Sequence, residues 1–190
     1  MAVTISGDTG ISAVQAGAVE SGDLPAGSVI QVVHDEGNTS TSVLSGSQTL
    51  YCGWTESINL SSVNNKILVQ AQLPAAVRRE NGGRPYLLDV TMYHQQGTLS
   101  TTGSGGSLQF DSNVTSKIIF DLHPAVVTGF SSVPKEWDGW VLINQLVTTS
   151  NLENHFTFSH RTNSDMVESH WNRQFGDGSF YQISLMEVVG

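Results

Sequence analysis

Cysteine is almost missing from this chain: Cys52 stands alone among 190 residues, so no intrachain disulfide can staple it. That usage fits synthesis in a reducing cytoplasm. Charge is scarce too. Asp, Glu, Lys and Arg make up 13% of the residues, and the 8 basic ones (Lys66, Arg78, Arg79, Arg84, Lys117, Lys135, Arg161, Arg173) are scattered apart from one adjacent pair. A nucleic-acid-binding face needs clustered positive charge to displace counterions, so nucleic acid is excluded as a partner. The net charge of −9 favours solubility and disfavours anionic membranes. No apolar run approaches the roughly 20 residues of a membrane-spanning helix. The opening residues carry neither the basic nor the apolar region of a secretory signal. Helical periodicity is also lacking. Its best stretch, ISAVQAGAVE at 11–20, contains glycine and little that is large and apolar.

What is present is a series of short apolar runs bounded by turn residues. They lie at 27–35, 48–54, 65–73, 85–94, 107–110, 116–123, 138–149, 154–161, 166–172 and 180–189. Several alternate with period two. Phe156, Phe158 and His160 share one face and His155, Thr157 and Ser159 the other; Tyr181, Ile183, Leu185 and Glu187 oppose Phe180, Gln182, Ser184 and Met186. Asn81-Gly82-Gly83, TTGSGGS at 101–107, Asp138-Gly139 and Gly176-Asp177-Gly178 read as turns. The pattern predicts an all-β protein: an antiparallel β-sandwich, jelly-roll-like, over residues 27–190, preceded by an extended N-terminal arm at 1–26.

The arm has its own chemistry. Between residues 6 and 28 nearly every side chain is small, with Ile11 and Leu24 the exceptions. Ordering a residue costs about 1–2 kcal/mol of backbone entropy, which such side chains cannot offset by burying one another. The arm is therefore expected to meet another chain, with Val3, Ile5, Ile11, Val14, Val19 and Leu24 as its contacts.

Reactive constellations are few. Six histidines (His34, His94, His123, His155, His160, His170) form neither an H-x-H pair nor an HExxH motif, and His155 and His160 fall on opposite strand faces. Cys52 sits in the apolar context TLYCGW, where cysteine behaves as a small buried hydrophobe. No pair of the scattered carboxylates is placed by the sequence at the separation of about 5–10 Å that glycoside hydrolysis needs. No catalytic residue, cofactor or metal is assigned. The candidate ligand or partner surface is EWDGWV at 136–141, where Trp137 and Trp140 flank Asp138-Gly139, together with Arg78 and Arg79 in an apparent exposed loop.

The stretches AVTISGDTGI, LPAGSVIQVVH at 24–34, NNKILVQAQL at 64–73, RRENGG at 78–83 and the ending YQISLMEVVG resemble small virion proteins of tailed phages, notably those of aquatic bacteria such as cyanobacteria. The resemblance implies a non-enzymatic structural protein located in the virion and made in the bacterial host cytoplasm. It implies a short tail fibre or appendage, commonly a homotrimer. The arm would join another virion protein, and the sandwich would face a host-surface glycan or protein. The alternative is a capsid decoration protein or head fibre, and a polysaccharide-degrading enzyme ranks below both.

Overall fold

Short apolar runs without helix formers satisfy their backbone groups between strands. The computed structural model of the chain describes residues 23–37, 41–43, 49–79, 88–103, 109–110, 114–122, 136–162, 166–171, 173–174, 177–178 and 180–190. Among the described residues there is no α-helix, and the strands pair antiparallel in two main sheets.

The larger sheet is built on β5 (Lys66–Arg79). One edge of β5 pairs along its length with β10 (Glu136–Thr148). The other edge is shared end to end by β15 (Tyr181–Val188), opposite residues 66–72, and β12 (Met166–Trp171), opposite residues 75–79. β1 (Val29–Gly37) then lies beside β15, and β2 (Thr41–Val43) beside β12. Pro74, which has no N–H to give, falls between the two end-to-end strands, where no ladder bond is asked of it on that edge.

The smaller sheet repeats that plan around β11 (Glu153–Thr162). One edge of β11 carries β6 (Leu88–Gln96) and, beyond it, β9 (Val114–Leu122); the other is shared by β3 (Thr49–Tyr51) and β4 (Glu56–Asn59). Tyr51 faces Ser159 and Glu56 faces Phe156, so the chain from 51 to 56 spans a partner stretch running only from 159 to 156. The excess is taken up at Cys52–Thr55, where Gly53 has φ 82°, a conformation open to a residue without Cβ. Two short ladders, β7 (Thr101–Thr102) with β8 (Gln109–Phe110) and β13 (Arg173–Gln174) with β14 (Asp177–Gly178), complete the described pairing.

Strand alternation puts one row of each sheet inside. Ile67, Val69, Ala71, Leu73 and Ala75 of β5, Val141, Ile143 and Val147 of β10, and Tyr181, Ile183 and Leu185 of β15 form one wall. Leu50, Ile58, Val90, Met92, Phe156 and Phe158 form the other. Each large aliphatic or Phe so buried contributes about 1.5–3 kcal/mol, which drives the two sheets together. The result is an antiparallel β-sandwich. Trp54, projecting from the bulge, closes part of the space between the walls. Its ring stacks on Tyr181 with centroids 4.2 Å apart and planes at 16°, and tilts against Phe158 at 5.5 Å and 52°. The Tyr181 hydroxyl donates to Asp35 Oδ2 at 2.8 Å.

Each of the ten predicted segments contains a strand. Three local expectations are corrected. Asp138 and Gly139 do not form a turn; they pair with Ala76 and Ala75 inside β10. Arg78 and Arg79 do not lie in a loop; they are the last residues of β5, and Arg78 stands between Glu136 and Glu168 on the neighbouring strands. The predicted strand at 65–73 continues through Pro74 to residue 79. In all three places the ladder offered by a long partner strand outweighs the local turn preference, which is weak by comparison. The arm contacts Val3, Ile5, Ile11, Val14 and Val19 and the stretch at 11–20 lie outside the described residues. Leu24 is half-buried in the lead-in to β1, where Gly27 N donates to Val189 O and Val189 N donates to Ser28 O, both at 2.9 Å.

Candidate binding surface

The outward residues of the larger sheet line up in rungs across β10, β5, β15 and β1. One rung reads Leu142, Gln72, Gln182, Glu36; the next Asn144, Gln70, Ser184, His34; the third Leu146, Leu68, Met186, Val32. Two polar rungs thus lie beside an apolar one. Around the polar rungs a groove of ≈ 290 Å³ opens, lined by His34, Gln70, Gln72, Leu142, Gln182 and Ser184 and floored by Ala71 and Ile143. The His34 Nδ1 and Ser184 Oγ atoms are 2.9 Å apart, which fixes the imidazole across β1 and β15. Trp140, 46% exposed, stands opposite Pro74 one rung beyond Leu142.

Amides, a hydroxyl and an imidazole offer hydrogen-bond donors and acceptors of both kinds, beside the apolar faces of Leu142 and Trp140. That combination suits a neutral, hydroxyl-rich ligand. Of the surface expected from sequence, Trp140 lies on this face. Positions 137 and 140, three apart in a continuous strand, fall on opposite faces of β10. Arg78, Arg79 and Asp138 lie at the far end of β5 and β10 from the groove. Sequence reasoning missed the glutamines. Their signal was period two: Gln70 and Gln72, then Gln182 and Ser184, alternate with buried apolar neighbours.

Several buried polar groups are engaged in structural bonds. Glu187 is fully buried: Oε1 accepts from Ser61 N at 2.7 Å, Ser61 Oγ at 2.7 Å and Asn65 Nδ2 at 2.6 Å, and Oε2 accepts from Gln31 Nε2 at 2.8 Å. Burial alone would raise its pKa, but these neutral donors outweigh burial and hold the carboxyl below its usual value. His94 stacks on Phe156 and lies 2.9 Å from Asn154 Oδ1; burial pushes its pKa down. The Tyr51 and Tyr93 rings meet at 5.7 Å, and burial, with the neighbouring phenol, pushes Tyr51 up to about 12.

Ser57, His155 and Glu153 have the composition of a nucleophilic triad, with His155 Nδ1 2.6 Å from Ser57 Oγ and Nε2 3.3 Å from Glu153 Oε1. However, Nε2 meets the Gly97 carbonyl at 2.8 Å, nearer than Glu153, so its proton is held by the backbone rather than by the carboxylate. The ring is 4% exposed and pins β4, β11 and the turn after β6. As expected, His155 and His160 occupy opposite faces of β11. Among the described residues, no group of three or more His, Cys, Asp or Glu is placed to hold a metal ion. No helix among them is long and apolar enough to cross a membrane.

The fold and this face define an all-β sandwich with a polar groove on one sheet. No protein-family model and no curated protein matches the chain. Among solved structures it is similar to a chain in the structure of infectious bursal disease virus Gx strain, with a TM-score of 0.41 and 10% identity over 100% of this chain. The chain spans 42% of the length of that viral protein, and a likeness of this size carries no functional argument.

Proposed function

We propose that the protein is a structural component of a virion: a short tail fibre or appendage of a tailed phage that holds a neutral host-surface glycan on the outer face of its larger sheet. Residues 1–26 would attach it to another virion protein, and copies would assemble as a homotrimer. The observation that carries the reading is the groove lined by Gln70, Gln72, Gln182, Ser184 and His34 beside the exposed Trp140. Planar amides bind sugar hydroxyls in pairs, and an aromatic face covers the apolar side of a sugar ring. The sequence resemblance to phage virion proteins supplies the setting.

Two measurements test it. Antibody against the sandwich, visualised by electron microscopy on intact particles, is expected on the tail; labelling of the head transfers the protein to the decoration or head-fibre class. Binding of the purified protein to host envelope polysaccharide is expected to fall at least tenfold in the double variant Gln72→Ala, Gln182→Ala. Equal binding by the variant and the native chain would remove the groove from the reading.

A further inference from the structure

Among the described residues β10 pairs with β5 alone, so none of them forms a ladder with its second edge; within the strand, Gln145 Nε2 donates to the Leu146 carbonyl at 2.9 Å. Edges of this kind invite another strand, and monomeric proteins blunt them with charge, proline or a bulge. From Trp140 to Thr148 this edge has none of these. It carries no Lys, Arg, Asp, Glu or Pro, its register with β5 is unbroken, and its outward side chains include Trp140, Leu142 and Leu146, exposed by 46%, 70% and 48%.

The order of residues along it names the partner. Residues 141–147 read V-L-I-N-Q-L-V, the same forwards and backwards except where Ile143 answers Gln145. An antiparallel pair of identical strands related by a two-fold axis matches residue i with residue j of the other copy at constant i + j. Centring the axis on Asn144 sets Val141 against Val147, Leu142 against Leu146 and Asn144 against itself. Outward residues then meet outward ones and buried Val141 meets buried Val147, while buried Ile143 meets the half-buried Gln145. Moving the centre one residue either way breaks both the Leu–Leu and the Val–Val matches. The acidic residues Glu136 and Asp138 fall outside the matched stretch, so no like charges oppose each other.

We infer that β10 is a self-association edge: two copies of this chain join their larger sheets through antiparallel β10–β10 pairing about Asn144. The apolar rung Val32, Met186, Leu68 and Leu146 then continues onto Leu142 of the second copy, shielding side chains that are exposed in one chain alone. This contact is independent of any three-fold assembly. Without a three-fold contact it produces two copies; joined to the trimer proposed above it links trimers to one another, six copies in the smallest closed case, so the copy number is even either way.

The test uses the full chain and light scattering at neutral pH. Asn144→Asp sets two carboxylates face to face across the axis and is expected to halve the native mass; Asn144→Lys does the same with two ammonium groups. An equimolar mixture of the two variants is expected to restore the full mass, since unlike charges then meet. Asn144 is an exposed position, so neither variant disturbs the core. A second measurement locates the axis: Asn144→Cys is expected to be bridged between copies by a short bis-maleimide, and Gln70→Cys, one strand inward, is not. An odd copy number, an unchanged mass in both charge variants, or bridging by Gln70→Cys alone would overturn the inference. So would a native monomer whose β10 amides are protected from hydrogen exchange, since another segment of the chain would then cover the edge.

Discussion

The His94 imidazole lies face to face with the Phe156 ring, centroids 4.7 Å apart and planes within 5°, and its Nε2 is 2.9 Å from Asn154 Oδ1. Asn154 Nδ2 is already committed to the carbonyls of Asn151 and Leu152, so Oδ1 is the accepting end and Nε2 carries the proton. The ring is buried and neutral, and burial lowers its pKa from the ordinary 6.5. The unfolded chain therefore takes up a proton that the folded chain refuses as pH falls below about 6.5. Stability is expected to decline over that window. His94→Phe keeps the ring stack, gives up about 1 kcal/mol of hydrogen bonding at pH 7.5, and flattens the decline. Urea unfolding of both proteins at pH 7.5 and 5.5 reads the difference; equal pH slopes would remove His94 as the cause.

Glu187 acts in a lower window. Its folded pKa is depressed, so its contribution is fully present above the unfolded value of about 4.5 and is lost as pH falls through the folded one. Glu187→Gln turns an acceptor into a donor facing Asn65, Ser61 or Gln31, and is expected to cost about 1–3 kcal/mol at neutral pH because a buried donor is left without an acceptor. The variant should also lose the acid-sensitive part of its unfolding curve below pH 4.5. A variant as stable as the native chain at pH 7 would show that the carboxylate network contributes nothing.

How far the sequence carried the fold depended on whether a signal was local. Period two was local. It grouped Tyr181, Ile183 and Leu185 on one strand face and Phe156 and Phe158 on another, and the structure buries both sets. The same rule set Glu187 on the face of Tyr181, Ile183 and Leu185 without explaining it, because its partners Gln31, Ser61 and Asn65 come from distant parts of the chain. Asp138-Gly139 misled for the converse reason. As a dipeptide it signals a turn, but β5 offers it a continuous ladder. His155, Thr157 and Ser159 form the polar face of an alternating strand, yet all three are buried, since hydrogen bonds to Ser57, Trp54 and Tyr93 draw cover over them. The groove was illegible because it is a property of register: Gln72 and Gln182 are 110 residues apart in sequence and directly opposite in the sheet.

Gly37 is a steric requirement. It pairs with Tyr181, and a Cβ built on it would lie 2.7–2.8 Å from the tyrosine ring and hydroxyl. The ring cannot swing away, because Trp54 stacks on it and Asp35 accepts its hydroxyl proton. Gly37→Ala is expected to destabilise the protein by about 1–3 kcal/mol, the usual cost of overpacking, and to weaken the near-ultraviolet dichroism of the Trp54–Tyr181 pair. Thermal unfolding checks the first effect. An unchanged melting temperature would mean that the ring has room the packing does not reveal.

Cys52 gives a probe of how the sandwich opens. Its thiol is 1% exposed, close to the Trp54 carbonyl at 3.2 Å and Thr157 Oγ1 at 3.4 Å, and burial pushes its pKa up despite those hydrogen bonds. The reactive species is the thiolate, so burial suppresses both access and ionisation. In the native chain at pH 8, labelling by a disulfide reagent is expected to be slower than in denaturant by roughly 10³-fold or more, set by the fraction of molecules transiently open. Trp54 projects from the same bulge, and Trp54→Ala removes the ring that packs between Tyr181 and Phe158, at an expected cost of about 3–5 kcal/mol. If the bulge opens only with the whole fold, the labelling rate should rise by the factor that the stability loss implies, about tenfold for each 1.4 kcal/mol. A rate that rises much less would show that Cys52 is reached by local opening of the β3–β4 edge, with the rest of the sandwich closed.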